Sequence, residues 1–205
     1  MKGNMKYIDT SFFKITTERI PVQSGSLLIA EPFLEESWFN RSVISLIDHS
    51  DEGTTGVVLN HPLNTTLDEV LEGVSPDSHV KVYCGGPMSQ DRLYFVHTLG
   101  DTIIPDARQY CPDLWIGGDF DAAISYINEG YPAEGQIRFF IGYSGWEQGQ
   151  LDREIDENTW AIQPTSEAMP KILDGEGDSY WHRAVRSLGS RYRLWQLLPG
   201  NIKSN

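Results

Sequence analysis

Ser42-Val-Ile-Ser-Leu-Ile-Asp-His-Ser-Asp-Glu-Gly-Thr-Thr-Gly-Val-Val-Leu-Asn60 is the stretch that decides the fold class. Residues 42–48 are nearly all apolar, the pattern of a strand covered on both faces. Asp51-Glu52-Gly53 supplies turn chemistry. Residues 55–60 then return as a second strand, so the two pair as a hairpin. On the N-terminal side, residues 25–31 read as a strand that Pro32 ends. On the C-terminal side, Thr66 with Glu69 fits a capping box. Leu67, Val70, Leu71 and Val74 follow at helical spacing. Residues 80–84 and 93–98 are two more strands, separated by the turn Gly85-Gly86-Pro87, and 114–117 is another. Asp119 caps a helix whose stripe is Phe120, Ala123, Ile124 and Ile127, stopped by Gly130. Residues 136–143 form a strong strand, with Gly142-Tyr143-Ser144-Gly145-Trp146 read as a tight turn from strand to helix. A short helix around Leu151 and Ile155, a strand over 159–163 and a last helix from about Asp178, with Trp181, Val185 and Leu188 on its apolar side, complete the order. Strand pairs interrupted by single helices are not the regular alternation of a doubly wound sheet. The expectation is an α+β fold with a mixed, strongly curved sheet, in one domain over residues 1–205.

The chain has 205 residues and 40% hydrophobic content, ordinary globular values. No run approaches the ~18 apolar residues of a membrane helix, and the N-terminus lacks the pattern of a secretory leader. These features predict a soluble, cytoplasmic protein. Cys84 and Cys111 form no Cys-x-x-Cys pair and have no histidine at zinc-site spacing, so both are expected to be reduced and buried. Sixteen basic residues against 29 acidic ones give a net charge of −13. From Ser179 onward there are Arg183, Arg186, Arg191, Arg193 and Lys203 and no acid, so the tail is +5 and the first 178 residues carry −18. Such a tail reads as the basic, solvated side of a helix resting on an acidic body.

The chemistry-bearing motifs name no reaction. Gly142 to Trp146 resembles a nucleophile elbow around Ser144, but that elbow needs glycine where Trp146 stands. Gly85-Gly86-Pro87 lacks the Lys-Ser/Thr ending of a phosphate loop. His49, His61, His79, His97 and His182 form no ligand set, and neither a metal nor a cofactor is expected. Asp174-Gly175-Glu176-Gly177-Asp178 is too short for a calcium loop and reads as a helix cap. Asp152, Glu154, Asp156 and Glu157 read as a solvated helix face.

Taken together the motifs resemble the YqgE/AlgH family of bacterial proteins. The blocks are Gly25 to Pro32, Phe39 to Val43, Gly56-Val-Val-Leu-Asn-His-Pro62, Gly85-Gly86-Pro87, Gly117 to Phe120 and, most specific, Arg138-Phe-Phe-Ile-Gly-Tyr-Ser-Gly-Trp-Glu-Gln-Gly-Gln-Leu151, followed by Glu154-Ile155 and Trp160. They span essentially the whole chain. The resemblance implies a bulged, partly open β-barrel-like sheet surrounded by helices, and no established activity. The family's description as a transcriptional regulator stems from a link to alginate control, which identifies no biochemical role. The family usually has Arg or Lys where His61 stands, so an anion bound there would be held weakly at neutral pH.

The reading adopted is a binding or regulatory module acting through a protein or polar small-molecule partner, its oligomeric state left open. The alternative is a hydrolase using Ser144 or a histidine at the family turns. The turns are expected to form one patch, with candidate ligand-binding residues Asn60, His61, Gly85, Gly86, His97, Tyr143, Ser144, Trp146, Gln148 and Gln150. The competing view makes the same residues architectural, with Trp146 filling core and Asn60 and Gln150 tying down turns. The charge balance disfavours direct binding to duplex DNA. A low-salt gel shift with micromolar protein is expected to show no retarded band. A shift that neutralising Arg183, Arg186, Arg191 and Arg193 abolishes would contradict this.

Overall fold

The computed structural model describes residues 20–164 and 171–198. Its organising element is a strand of 11 residues, Ile137–Glu147. In chain order the strands are β1 (Leu27–Ala30), β2 (Val43–Ser50), β3 (Gly53–Val58), β4 (Pro62–Thr66), β5 (Lys81–Cys84), β6 (Met88–His97), β7 (Arg108–Cys111), β8 (Leu114–Ile116), β9 (Ile137–Glu147) and β10 (Trp160–Gln163). The helices are α1 (Leu67–Val70), α2 (Phe120–Asn128), α3 (Gln150–Asp156) and α4 (Gly177–Ser187). The sheet runs β10-β1-β2-β3-β9-β6-β8-β7, with β5 also on β9 and β4 on β5. The β2–β3 hairpin forms as expected. The β5–β9 pair is parallel and its neighbours are antiparallel, so the sheet is mixed.

The sheet curls far enough to bring distant strands together. Ser45 on β2 and Tyr110 on β7 share a hydrogen bond of 3.1 Å, although β3, β9, β6 and β8 lie between them in the sheet. This is a partly open barrel. Strands β1, β10 and the first half of β2 are buried on both faces, which explains their continuous apolar runs. On β2, Val43 and Ile47 point into a core shared with Tyr180, Trp181, Ala184 and Val185 of α4. Ile44 and Leu46 point to the opposite side, into a core with Trp146, Leu151 and Trp160. A third core packs Phe95 and Phe139 against Ala123 and Ile127 of α2.

Three expectations need correction. The Gly142 to Trp146 segment is no strand-to-helix turn; it continues β9, because residues 144–147 pair with β3. Gly85-Gly86-Pro87 separates two strands as expected, β5 and β6. β5 and β6 both pair with β9 rather than with each other, so this link steps across β9. The first helix covers only Leu67–Val70. Asn128 of α2 accepts from Ser75 N and donates to Gly73 O, each at 2.8 Å, and holds the chain in a turn after Leu71. Cys111 is half-buried rather than buried, while Cys84 is buried. Burial pushes both thiols up, Cys111 to about 11, with Asp113 adding to that shift. Strand β7 escaped sequence reading because Arg-Gln-Tyr-Cys has no apolar alternation.

The crossing leaves no room for side chains. A Cβ on Gly85 would overlap the carbonyl of Gly142, and one on Gly142 (φ +72°) would lie 2.6–2.7 Å from Gly86 O, Gln90 Nε2 and Met88 O. Gly130 has a similar φ of +83° and nothing within 4 Å of such a Cβ. Both Gly→Ala variants carry the left-handed backbone cost, but only Gly142→Ala adds steric overlap. Urea unfolding should therefore show Gly142→Ala less stable than Gly130→Ala by roughly 1–3 kcal/mol. Equal losses would contradict the crossing.

Candidate functional site

The glycine crossing gathers part of the expected patch. The Ser144 side chain is fully buried, and its hydroxyl donates to Gly85 O at 3.1 Å. Gly85 N donates to Ile141 O, Val58 N to Gly85 O, and Cys84 N to His61 O, so residues 58–61, 84–86 and 141–144 meet. They meet as packed backbone. Asn60 is 1% exposed. Its Oδ1 accepts from Val43 N at 2.8 Å, and its Nδ2 donates to Arg41 O and Gly177 O at 2.9 and 3.1 Å. Asn60 thus fastens the β1–β2 link and the start of α4 to the end of β3.

Trp146 and Gln150 belong to a second cluster, organised by Glu154. Its Oε2 accepts from the indole N–H groups of Trp146 and Trp160 at 2.8 and 2.7 Å, and its Oε1 accepts from Gln150 Nε2 at 2.8 Å. Gln150 Oε1 accepts from Glu147 N at 3.1 Å. Glu154 is therefore no member of a solvated face, and both Trp146 and Gln150 hold β9, α3 and β10 together. Gln148 is exposed beside this cluster.

The histidine side chains have contacts of their own. His49 bonds Thr54 Oγ1 at 2.7 Å. His61 is half-buried, and burial lowers its pKa, partly offset by backbone groups of Asn40, Arg41 and Trp38. His97 is fully buried near the start of β9, where it pairs with Ile137. Its Nε2 lies 3.2 Å from Gly117 O, and Leu99 N donates to its Nδ1 at 3.3 Å. One ring nitrogen therefore donates and the other accepts, which fixes a neutral imidazole. No hydrogen bond joins Ser144 to a histidine among the described residues. No group of three or more His, Cys, Asp and Glu among them is placed to hold a metal ion.

Arg138 escaped sequence reading as an anchor. It is 2% exposed and donates to Leu59 O, Leu173 O and Gly175 O at 2.5, 2.6 and 3.0 Å. Its guanidinium also lies 4.1 Å from the centre of the Tyr83 ring. A charge inside an otherwise apolar strand was the available signal, since a buried cation must find partners.

Of the expected ligand-binding residues, Tyr143 lines a cleft between the strands. This cleft of about 250 Å³ lies on the concave side of the barrel. Ile47, Val57 and Ile116 give it an apolar floor, and Thr55, Tyr94, Tyr143 and Arg108 add polar groups. These residues come from β2, β3, β9, β6, β8 and β7, six successive strands of the curled sheet. The Tyr94 and Tyr143 rings meet edge to face, 5.9 Å apart at 79°. Nothing in the local sequence marks the cleft, because only the curl unites its walls.

Burial holds the His97 pKa below its ordinary value, with the Gly117 carbonyl opposing it. The unfolded chain takes up this proton near pH 6.5 and the folded chain only at lower pH, so acid favours unfolding. Burial shifts His61 and His182 in the same direction. Stability in urea should fall as pH drops from about 7.5 to 5, by up to about 1.4 kcal/mol per pH unit for fully buried His97 and by less for the more exposed His61 and His182. His97→Gln should flatten part of that slope. An unchanged slope in the variant would contradict a neutral buried His97.

Residues 27–193 match the model of a family described as AlgH-like. The chain is 42% identical over 190 residues to a UPF0301 protein of Parabacteroides distasonis, covering 92% of this chain and 94% of that one. It is 37% identical over 173 residues to a UPF0301 protein of Chlorobaculum parvum, covering 84% and 90%. Among solved structures, a Corynebacterium diphtheriae protein superposes with a TM-score of 0.70 at 25% identity, over 89% of this chain and 95% of that one. The solution structure of the AlgH protein from Pseudomonas aeruginosa superposes with a TM-score of 0.65 at 29% identity, over 91% and 100%. The motif blocks, the curled mixed sheet and these matches agree, and the chain belongs to the AlgH-like family.

Proposed function

We propose that this protein is a cytoplasmic binding module that takes a small organic ligand in the concave cleft. Any regulatory role then runs through that ligand or through a protein partner, not through direct contact with DNA. The carrying observation is the cleft itself: an apolar floor, two tyrosines and a cation converge on one cavity, the usual composition of a small-molecule site. The charge of −13 supports a partner other than nucleic acid. The hydrolase alternative draws less support, because the Ser144 hydroxyl is buried and engaged by the Gly85 carbonyl. No helix among the described residues is long and apolar enough to cross a membrane.

Native mass spectrometry of protein purified from its own cytosol tests this reading. The wild type should retain a small molecule that denaturation releases. Thr55→Tyr, which fills the cleft from a half-exposed position, should retain roughly tenfold less, the equivalent of about 1.4 kcal/mol. Equal retention by both proteins would contradict the assignment.

A further inference from the structure

Four of the described tyrosines make hydrogen bonds through their hydroxyls. Tyr83 donates to Glu176, Tyr126 to Pro132 O and Tyr180 to Ile172 O, and Tyr110 shares its hydrogen bond with Ser45. Tyr94 and Tyr143 are half-buried, yet their hydroxyls have no protein partner among the described residues. The same holds for the Thr55 hydroxyl and the Arg108 guanidinium. None of these atoms is sealed from solvent without a partner, and all four residues line the one cleft. The lining includes no carboxylate, although the chain as a whole carries −13.

We propose, building on the cleft as the binding site, that its ligand is a small arylcarboxylate: one aromatic ring bearing one carboxylate. The apolar floor of Ile47, Val57 and Ile116 and the paired rings of Tyr94 and Tyr143 receive the arene, for which edge and face contacts are both favourable. Arg108 receives the carboxylate, whose two oxygens match the planar fork of a guanidinium. The Thr55 and tyrosine hydroxyls complete its hydrogen bonds. Size agrees. A cavity of roughly 150 Å³ takes up benzene, and the cleft, at about 250 Å³, adds room for a short acid-bearing arm.

Phenylacetate and its neutral isostere phenylacetamide are the probes, titrated into the ¹⁵N-labelled full chain and followed through the backbone amides of Thr55, Gly56, Val57 and Tyr143. Phenylacetate should shift these amides saturably and bind about tenfold more tightly than phenylacetamide. Arg108→Gln alters an exposed residue of an edge strand. It should weaken phenylacetate about tenfold, leave phenylacetamide unchanged and preserve the rest of the spectrum. Equal affinity for the two probes, unaffected by Arg108→Gln, would overturn the arylcarboxylate assignment while leaving the cleft as a site. Shifts centred on Arg191 and Arg193 would overturn the assignment as well. No shift of the cleft amides by either probe at concentrations on the order of 10 mM would overturn both readings.

Discussion

The fold turns on one close approach of backbone to backbone, where the link from β5 to β6 steps across β9 at Gly142. The two strands pair with opposite sides of β9 and not with each other, so the chain must pass over the strand within a few residues. Only glycine permits this at Gly85, Gly86 and Gly142, where any Cβ would overlap main-chain atoms of the facing segment. Because β9 bends there without ending, its second half is free to pair with β3. One strand thereby serves both parts of the sheet, and the sheet curls.

From the curl follow the cores and the cleft. Ser45 reaches Tyr110 across the barrel interior, and α4 packs its Trp181 into the same core, donating to Ala30 O at 2.9 Å. Three polar side chains fix the outer segments to this frame. Asn60 holds the links before β2 and α4, Arg138 holds residues 173–175, and Glu154 gathers two indoles and an amide from β9, β10 and α3. Each is well partnered, as buried polar groups need to be. The residues that make the motifs specific are, for the most part, the ones that make the barrel possible.

This division explains what the sequence could disclose. Elements with local signals were legible: the β2–β3 hairpin through its apolar run and Asp-Glu-Gly turn, α2 through its Asp119 cap, which accepts from Asp121 N and Ala122 N, and the burial of the strands through their unbroken apolarity. What depends on distant partners was not. Gly142 to Trp146 carries turn residues, yet pairing with β3 keeps it a strand. Glu154 sits in an acidic run, yet two tryptophans remote from its helix face claim it. Arg108 and Tyr94 lie on β7 and β6, with no shared motif, and only the curl of the sheet brings them to one cleft with Ile47 and Thr55 of β2 and β3. The candidate site was therefore legible at Tyr143 alone, and there for its aromatic ring rather than for any pattern of spacing.

The functional account rests on Thr55, Tyr94, Tyr143 and Arg108 at the cleft, whose polar groups are open to a ligand. Its most direct test is a crystal structure of the protein soaked with phenylacetate. The account predicts the ring against Tyr94 and Tyr143, with the carboxylate within hydrogen-bond distance of the Arg108 guanidinium. An empty cleft at saturating ligand, or a ring bound with its carboxylate pointing away from Arg108, would contradict it.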